Sequence, residues 1–242
     1  MSGTLWLLPV ALGDTPWEHY SPPATREAVC RLSLFVAENA KTARAELKRI
    51  GHPVPLRELA IEQLPETPTA KDIESLLAPL LAGHDLGLMS EAGCPAVADP
   101  GALLVRRAHE LGIVVKPLVG PSSLLLALMA SGLDGQRFAF HGYLPAREPE
   151  RSRRIAELES ESARFRQTQI FIETPLPQPR PVQCSAAVLS PENAPLPGNR
   201  PHHGRRADQH AAHRRLESRS AAGPGQAPHR FPAAGRLRWR TR

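Results

Sequence analysis

Short apolar runs alternate along this chain with longer stretches in which apolar positions return every three or four residues. The short runs predict strands at residues 4–12, 34–37, 58–61, 86–89 and 113–118. The periodic stretches predict helices at 25–32, 40–50, 70–82 and 103–111. Gly51, Gly83 and Gly112 stand where three of those helices end, as left-handed caps require. Strands alternating with helices of about ten residues imply βαβ units and a largely parallel sheet.

A second α/β unit begins near residue 119, with a helix at 124–131, a strand at 137–144, a helix at 148–162 and a strand at 168–173. The pattern then breaks at Thr174-Pro175. Residues 176–242 hold ten Pro, twelve Arg and five His, without Ile, Lys, Tyr or Met, and no strand or helix period survives there. Such a stretch buries too little apolar surface to offset its ordering entropy. Two readings fit it: an Arg-rich tail that grips phosphates, or an out-of-frame translation of GC-rich coding sequence. The second accords better with a break one residue after a strand in mid-domain. The division expected is therefore 1–118, an N-terminal α/β domain; 119–175, a partial C-terminal α/β domain; and 176–242, a disordered or out-of-frame tail.

Charge changes this picture little. The chain carries a formal +6 with a pI near 9.8, yet residues 1–175 hold 18 cations against 21 acids. The basic character belongs to the tail. Three cysteines, Cys30, Cys94 and Cys184, form neither a disulfide framework nor a metal cluster, so no metal is expected and a reducing, cytoplasmic setting fits. The opening run lacks a basic flank and reads as a buried strand, and the longest apolar run, 124–130, is too short to cross a bilayer.

The chemistry sits in three loops. Pro9 to Asp14 ends the first strand. Ser90, Glu91, Ala92, Gly93, Cys94 and Pro95 follow the strand at 86–89, with a turn at Asp99-Pro100-Gly101 after them. Gly120, Pro121, Ser122 and Ser123 open the second unit. Ligands in open α/β sheets bind where strands end in loops of small residues, because backbone can approach them closely there. Neither the dinucleotide fingerprint nor the P-loop occurs, which argues against a nicotinamide enzyme or an NTPase. A turn role competes for each loop, and for Asp99 in particular.

Together these loops resemble the tetrapyrrole methylase superfamily of S-adenosylmethionine-dependent methyltransferases, and within it the small-subunit ribosomal RNA ribose 2′-O-methyltransferase branch. The family's Ser-Asp-Ala-Gly-Thr-Pro…Ser-Asp-Pro-Gly segment is similar to Ser90–Pro95 with Ala98-Asp99-Pro100-Gly101. Its Pro-Leu-Pro-Gly-Pro-Ser segment is similar to Pro117-Leu118-Val119-Gly120-Pro121-Ser122, and its Phe-Gly-Phe-Leu-Pro element to His141-Gly142-Tyr143-Leu144-Pro145. The first-strand turn matches loosely at Leu8–Asp14, and Ile172-Glu173-Thr174-Pro175 fits the last strand. The likeness covers residues 3–175.

The resemblance implies a two-domain α/β fold of the tetrapyrrole methylase kind, with an incomplete second domain in this chain. S-adenosyl-L-methionine would lie between the domains, held by Pro9, Ser90, Glu91, Ala92, Gly93, Cys94, Pro95, Gly120, Pro121, Ser122 and Ser123. The reaction implied is in-line methyl transfer, governed by positioning. Glu91 and Asp99 are the carboxylates that could face a sulfonium. Glu38 and His141 are the candidate bases for a ribose hydroxyl, each with a structural alternative. The family's Ala-Glu-Asp-Thr-Arg run is here Ala37-Glu38-Asn39-Ala40-Lys41, so the acceptor stays open between rRNA and a tetrapyrrole or other small molecule. A nucleic-acid binder acting through the tail is the alternative outside catalysis. The likeness also implies ribosomal RNA or the small ribosomal subunit as partner, a homodimer and no membrane. A tail that supplies no further strands predicts weak cofactor binding and little turnover.

Overall fold

The computed structural model describes residues 2–173 and the backbone of two further strands, Ser185–Leu189 and Ala234–Arg236. These fall into two compact units that divide between Ser122 and Ser123.

The first unit is a five-stranded sheet in the order β3-β2-β4-β1-β5, parallel throughout. Its strands are β1 (Thr4–Leu8), β2 (Leu34–Ala37), β3 (Ala60–Gln63), β4 (Leu86–Met89) and β5 (Val114–Pro117). Helices α1 (Pro23–Cys30), α2 (Ala40–Ile50), α3 (Ala70–Leu81) and α4 (Gly101–Glu110) connect them. Strand residues alternate between two cores, as the period of two demands. Leu5, Val36, Leu86 and Leu88 face α3 and α4, where they meet Leu77, Leu80 and Leu104. Leu8, Phe35, Ala37 and Met89 face α1 and α2, where they meet Val29, Leu47 and Ile50. The sheet is thus covered on both faces, which is why its central strands read as unbroken apolar runs. Pro117 is tolerated because β5 is an edge strand.

Local signals place these helices. Asn39 caps α2 by accepting from the Lys41 and Thr42 N–H groups at 2.9 and 3.3 Å. Thr69 and Asp72 form a reciprocal capping box at the start of α3. Gly51 closes α2 in the left-handed region with φ +71°, and Gly83 and Gly112 are also at positive φ. The third strand lies two residues later than the sequence pattern predicts, at Ala60–Gln63, because the loop before it uses Leu59 as a core residue instead.

The second unit carries α5 (Ser123–Ser131), β6 (Phe138–Tyr143), α6 (Glu150–Phe165) and β7 (Thr168–Glu173). Its sheet runs β6-β7-β8-β9, where β8 is Ser185–Leu189 and β9 is Ala234–Arg236. β6 and β7 are parallel, whereas β8 is antiparallel to both β7 and β9. Here the expectation that nothing beyond residue 175 adds a strand is corrected. Ser-Ala-Ala-Val-Leu is too short to show a period, yet it pairs along β7 from Gln169 to Glu173. The rest of residues 176–242, including the proposed phosphate-gripping or out-of-frame tail, lies outside the described residues. Among the described residues no helix is long and apolar enough to cross a membrane.

Candidate active site at the carboxyl edge of the first sheet

In a parallel sheet every strand delivers its carboxyl end to the same edge. β2 continues outward to β3, whereas its neighbour β4 continues the other way to β5, so their connections diverge. A crevice opens at such a point. Glu38 directly follows β2, and Ser90 directly follows β4. The Glu38 N–H still reaches the Met89 carbonyl at 3.4 Å, so the two loops leave the sheet side by side.

The three loops singled out in the sequence meet here. Val10 and Gly93 exchange both backbone hydrogen bonds at 2.9 Å, which ties the loop after β1 to the loop after β4. The buried Ser90 hydroxyl donates to the Gly93 carbonyl at 3.1 Å and fixes the turn from within. Gly93 holds φ +76°, and a Cβ there would lie 3.3 Å from Leu12 Cδ2. The Cys94 thiol donates to the Pro121 carbonyl at 3.3 Å, joining the loop after β5. Burial pushes that thiol above its ordinary range, so it stays protonated at neutral pH. Thr25 on α1 donates to the Val119 carbonyl at 2.9 Å. Gly120 lies directly on the Pro9 ring: a Cβ at Gly120 would stand 2.2 Å from Pro9 Cβ. Pro9, Gly93 and Pro95 are buried, while Glu91, Ala92 and Val119 face solvent. The result is a rigid cradle of backbone with exposed lips.

Two carboxyl groups stand beside it. Asp99 accepts from the Ala96 and Gly101 N–H groups at 2.9 and 2.8 Å, which is the turn role anticipated for it, just before α4. Its side chain also interacts with the Glu38 carboxyl. Burial first, then the Asp99 carboxyl, push Glu38 up to about 7. Burial likewise raises Asp99, against the N–H groups that favour its charge. Sequence reasoning named both residues but not their pairing. The only signal was their position after successive crevice strands.

The remaining candidates separate. Ser122 ends the first unit and Ser123 begins α5 in the second. His141, on β6 of the second unit, has both ring nitrogens engaged. The Arg154 guanidinium, which can only donate, reaches Nδ1 at 3.1 Å. Nε2 therefore carries the hydrogen and donates to the buried Gln169 Oε1 at 2.5 Å. Both ring nitrogens are thus engaged by neighbours within the second unit. Among the described residues no cluster of His, Cys, Asp and Glu could hold a metal ion.

Known proteins are similar to this chain in sequence. Ribosomal RNA small subunit methyltransferase I of Xylella fastidiosa (strain Temecula1) is 37% identical over 171 residues, covering 71% of this chain and 58% of that protein. Its namesakes in Pseudomonas aeruginosa and Escherichia coli O157:H7 are each 33% identical, over 174 and 172 residues, covering 72% and 71% of this chain. Over that aligned length the chain is similar to the ribosomal RNA small subunit methyltransferase I proteins. It spans 56–58% of the length of these three relatives. No family model matches the chain. Two solved structures share its fold at 16% identity. They are a conserved hypothetical protein, APE0931 of Aeropyrum pernix K1, with a TM-score of 0.53 over 74% of this chain and 60% of that one, and the methyltransferase CobJ, with 0.51 over 80% and 89%.

Proposed function

We propose that the chain binds S-adenosyl-L-methionine at the carboxyl edge of its first sheet and serves methyl transfer to a ribose 2′-hydroxyl of small-subunit ribosomal RNA. The observation that carries this reading is the convergence of the loops after β1, β4 and β5 on Gly93, which holds a positive φ, and Gly120, where a side chain has no room. The relatives' names supply the reaction class.

The cradle fits the cofactor in chemistry. Its lips are backbone and small side chains, suited to a polar, zwitterionic molecule, and its only side-chain charges are carboxylates, suited to a cation. Residues 91–94 and 119–121 would hold the molecule through backbone groups, with Pro9 as the floor. The bound cofactor supplies an electrophilic methyl group on a sulfonium. The protein's own contribution is placement, since in-line transfer gains most from fixed geometry. Glu38, when ionised, is the group placed to accept the hydroxyl proton. Its elevated pKa keeps it poised near neutrality, where a general base is most effective. Small-subunit rRNA as the acceptor, a homodimer as the assembly and the cytoplasm as the compartment belong to the same reading.

A calorimetric titration of the purified chain with S-adenosylmethionine tests it. Saturable micromolar binding that Gly120→Ala weakens supports the site. A folded chain that gives no heat at millimolar ligand overturns it.

A further inference from the structure

The acidic balance of residues 1–175 speaks against a nucleic-acid surface, but the structure distributes those charges unevenly. In α2 the positions facing solvent are Lys41, Arg44, Ala45 and Lys48. The three cations stand at i, i+3 and i+7, so they lie within about 60° of one another around the helix and extend about 10 Å along it. The only carboxylate of α2, Glu46, is 1% exposed. It points inward, where Tyr20 donates to it and Arg49 pairs with it at 2.5 Å. The outer face therefore carries positive charge alone.

Several other cations of the first unit are paired with carboxylates. Arg107 pairs with Glu74 and Glu110, Arg106 with Glu110, and Arg49 with Glu46 and Asp14. Lys41, Arg44 and Lys48 form no ion pair among the described residues; Arg44 only donates to the Ala40 carbonyl of its own helix. The stripe also starts at the candidate site, because Asn39, the cap of α2, is the residue after Glu38.

We infer that the outward face of α2 is the docking surface for the RNA phosphate backbone, with Lys41, Arg44 and Lys48 as the phosphate contacts that lead the strand toward Glu38. This rests on the RNA acceptor proposed above. Phosphate contacts of this kind set register and orientation without reading sequence. Three such contacts give a salt slope of about −2 on a single strand.

Lysine footprinting tests it on the full chain. The sequence holds four lysines, Lys41, Lys48, Lys71 and Lys116, and residues 176–242 hold none, so lysine acetylation is blind to any binding by that Arg-rich segment. Lys71 starts α3 on the opposite face of the sheet, and Lys116 sits on β5 over the Trp6 ring. With a short single-stranded oligoribonucleotide, Lys41 and Lys48 are expected to acetylate on the order of tenfold more slowly, recovering as salt is raised, while Lys71 and Lys116 keep their rates. The triple variant K41Q/R44Q/K48Q is expected to flatten the salt slope by about 2. Bound RNA that leaves Lys41 and Lys48 as reactive as in the free protein overturns the inference, as does equal protection of all four lysines or no RNA binding at all. A parallel S-adenosylmethionine titration separates the two readings. Cofactor binding without protection removes this surface alone, whereas protection without cofactor binding removes the methyltransferase reading and leaves the surface standing.

Discussion

Glu38 and Asp99 hold their carboxyl groups in hydrogen-bond contact, one at the end of β2 and the other just before α4. Two carboxylates cannot share such a bond without a proton between them. Asp99 accepts from two backbone N–H groups, which favour its charged form, so the proton resides on Glu38. The pair thus behaves as one unit with a single negative charge until the pH exceeds about 7.

A pH-dependent stability follows. The folded state holds the Glu38 proton to about 7, whereas the unfolded chain releases it near the ordinary 4.5. Between those values the native state binds more protons, so the stability due to this group is full below pH 4.5 and is lost as pH rises to about 7. Because the side chain is about half exposed, the loss is discounted for solvent screening to about 1 kcal/mol. Glu38→Gln keeps the neutral shape and removes the titration. It should match the wild-type chain in thermal unfolding at pH 4.5 and exceed it at pH 8. A difference that does not grow with pH would refute the shared proton.

How much of this was legible in the sequence depends on range. Gly51 announced the end of α2 because a left-handed cap is a local demand, and the apolar run 86–89 announced β4 because both sheet faces are covered. The three loops were legible as a group, since each follows a strand of one parallel sheet. The Glu38–Asp99 pair was not, because it depends on which strands become neighbours, and the order β3-β2-β4-β1-β5 is a long-range property that no local pattern displays. Glu46 was illegible for a similar reason. Within α2 it reads as an ordinary helix acid three residues before Arg49, and only the chain around Tyr20, reaching its carboxylate, turns it into a buried ion.

That buried ion supports a second prediction. Arg49 and Tyr20 satisfy the two oxygens of Glu46, which is 1% exposed. Arg49→Ala leaves the carboxylate inside without its cation, a change that costs about 3–5 kcal/mol. Glu46→Leu removes the buried charge itself and should cost less, although it frees Arg49 to turn to Asp14 alone at 3.2 Å. Urea unfolding of the two variants at neutral pH checks the order. Equal losses would show that the pair, and not the stranded charge, carries the energy.

The close approach of Gly120 to Pro9 makes the sharpest test of the cradle. A methyl group at Gly120 would stand 2.2 Å from Pro9 Cβ and 2.6 Å from its Cγ, far inside van der Waals contact. Pro9 is buried and its ring is stiff, so the loop after β5 must move instead. Overpacking of this kind costs about 1–3 kcal/mol. That movement would pull on the Cys94–Pro121 and Thr25–Val119 contacts that fix the loop. Gly120→Ala should therefore weaken S-adenosylmethionine on the order of tenfold or more as well as lower stability, since positioning is what the backbone supplies. Gly135→Ala is the control: a Cβ there meets nothing within 4 Å, so stability should stay within about 0.5 kcal/mol. Calorimetry on both variants decides the matter. If Gly120→Ala loses stability but binds the cofactor as the wild-type chain does, the loop after β5 is a structural turn and the site must lie elsewhere along the sheet edge.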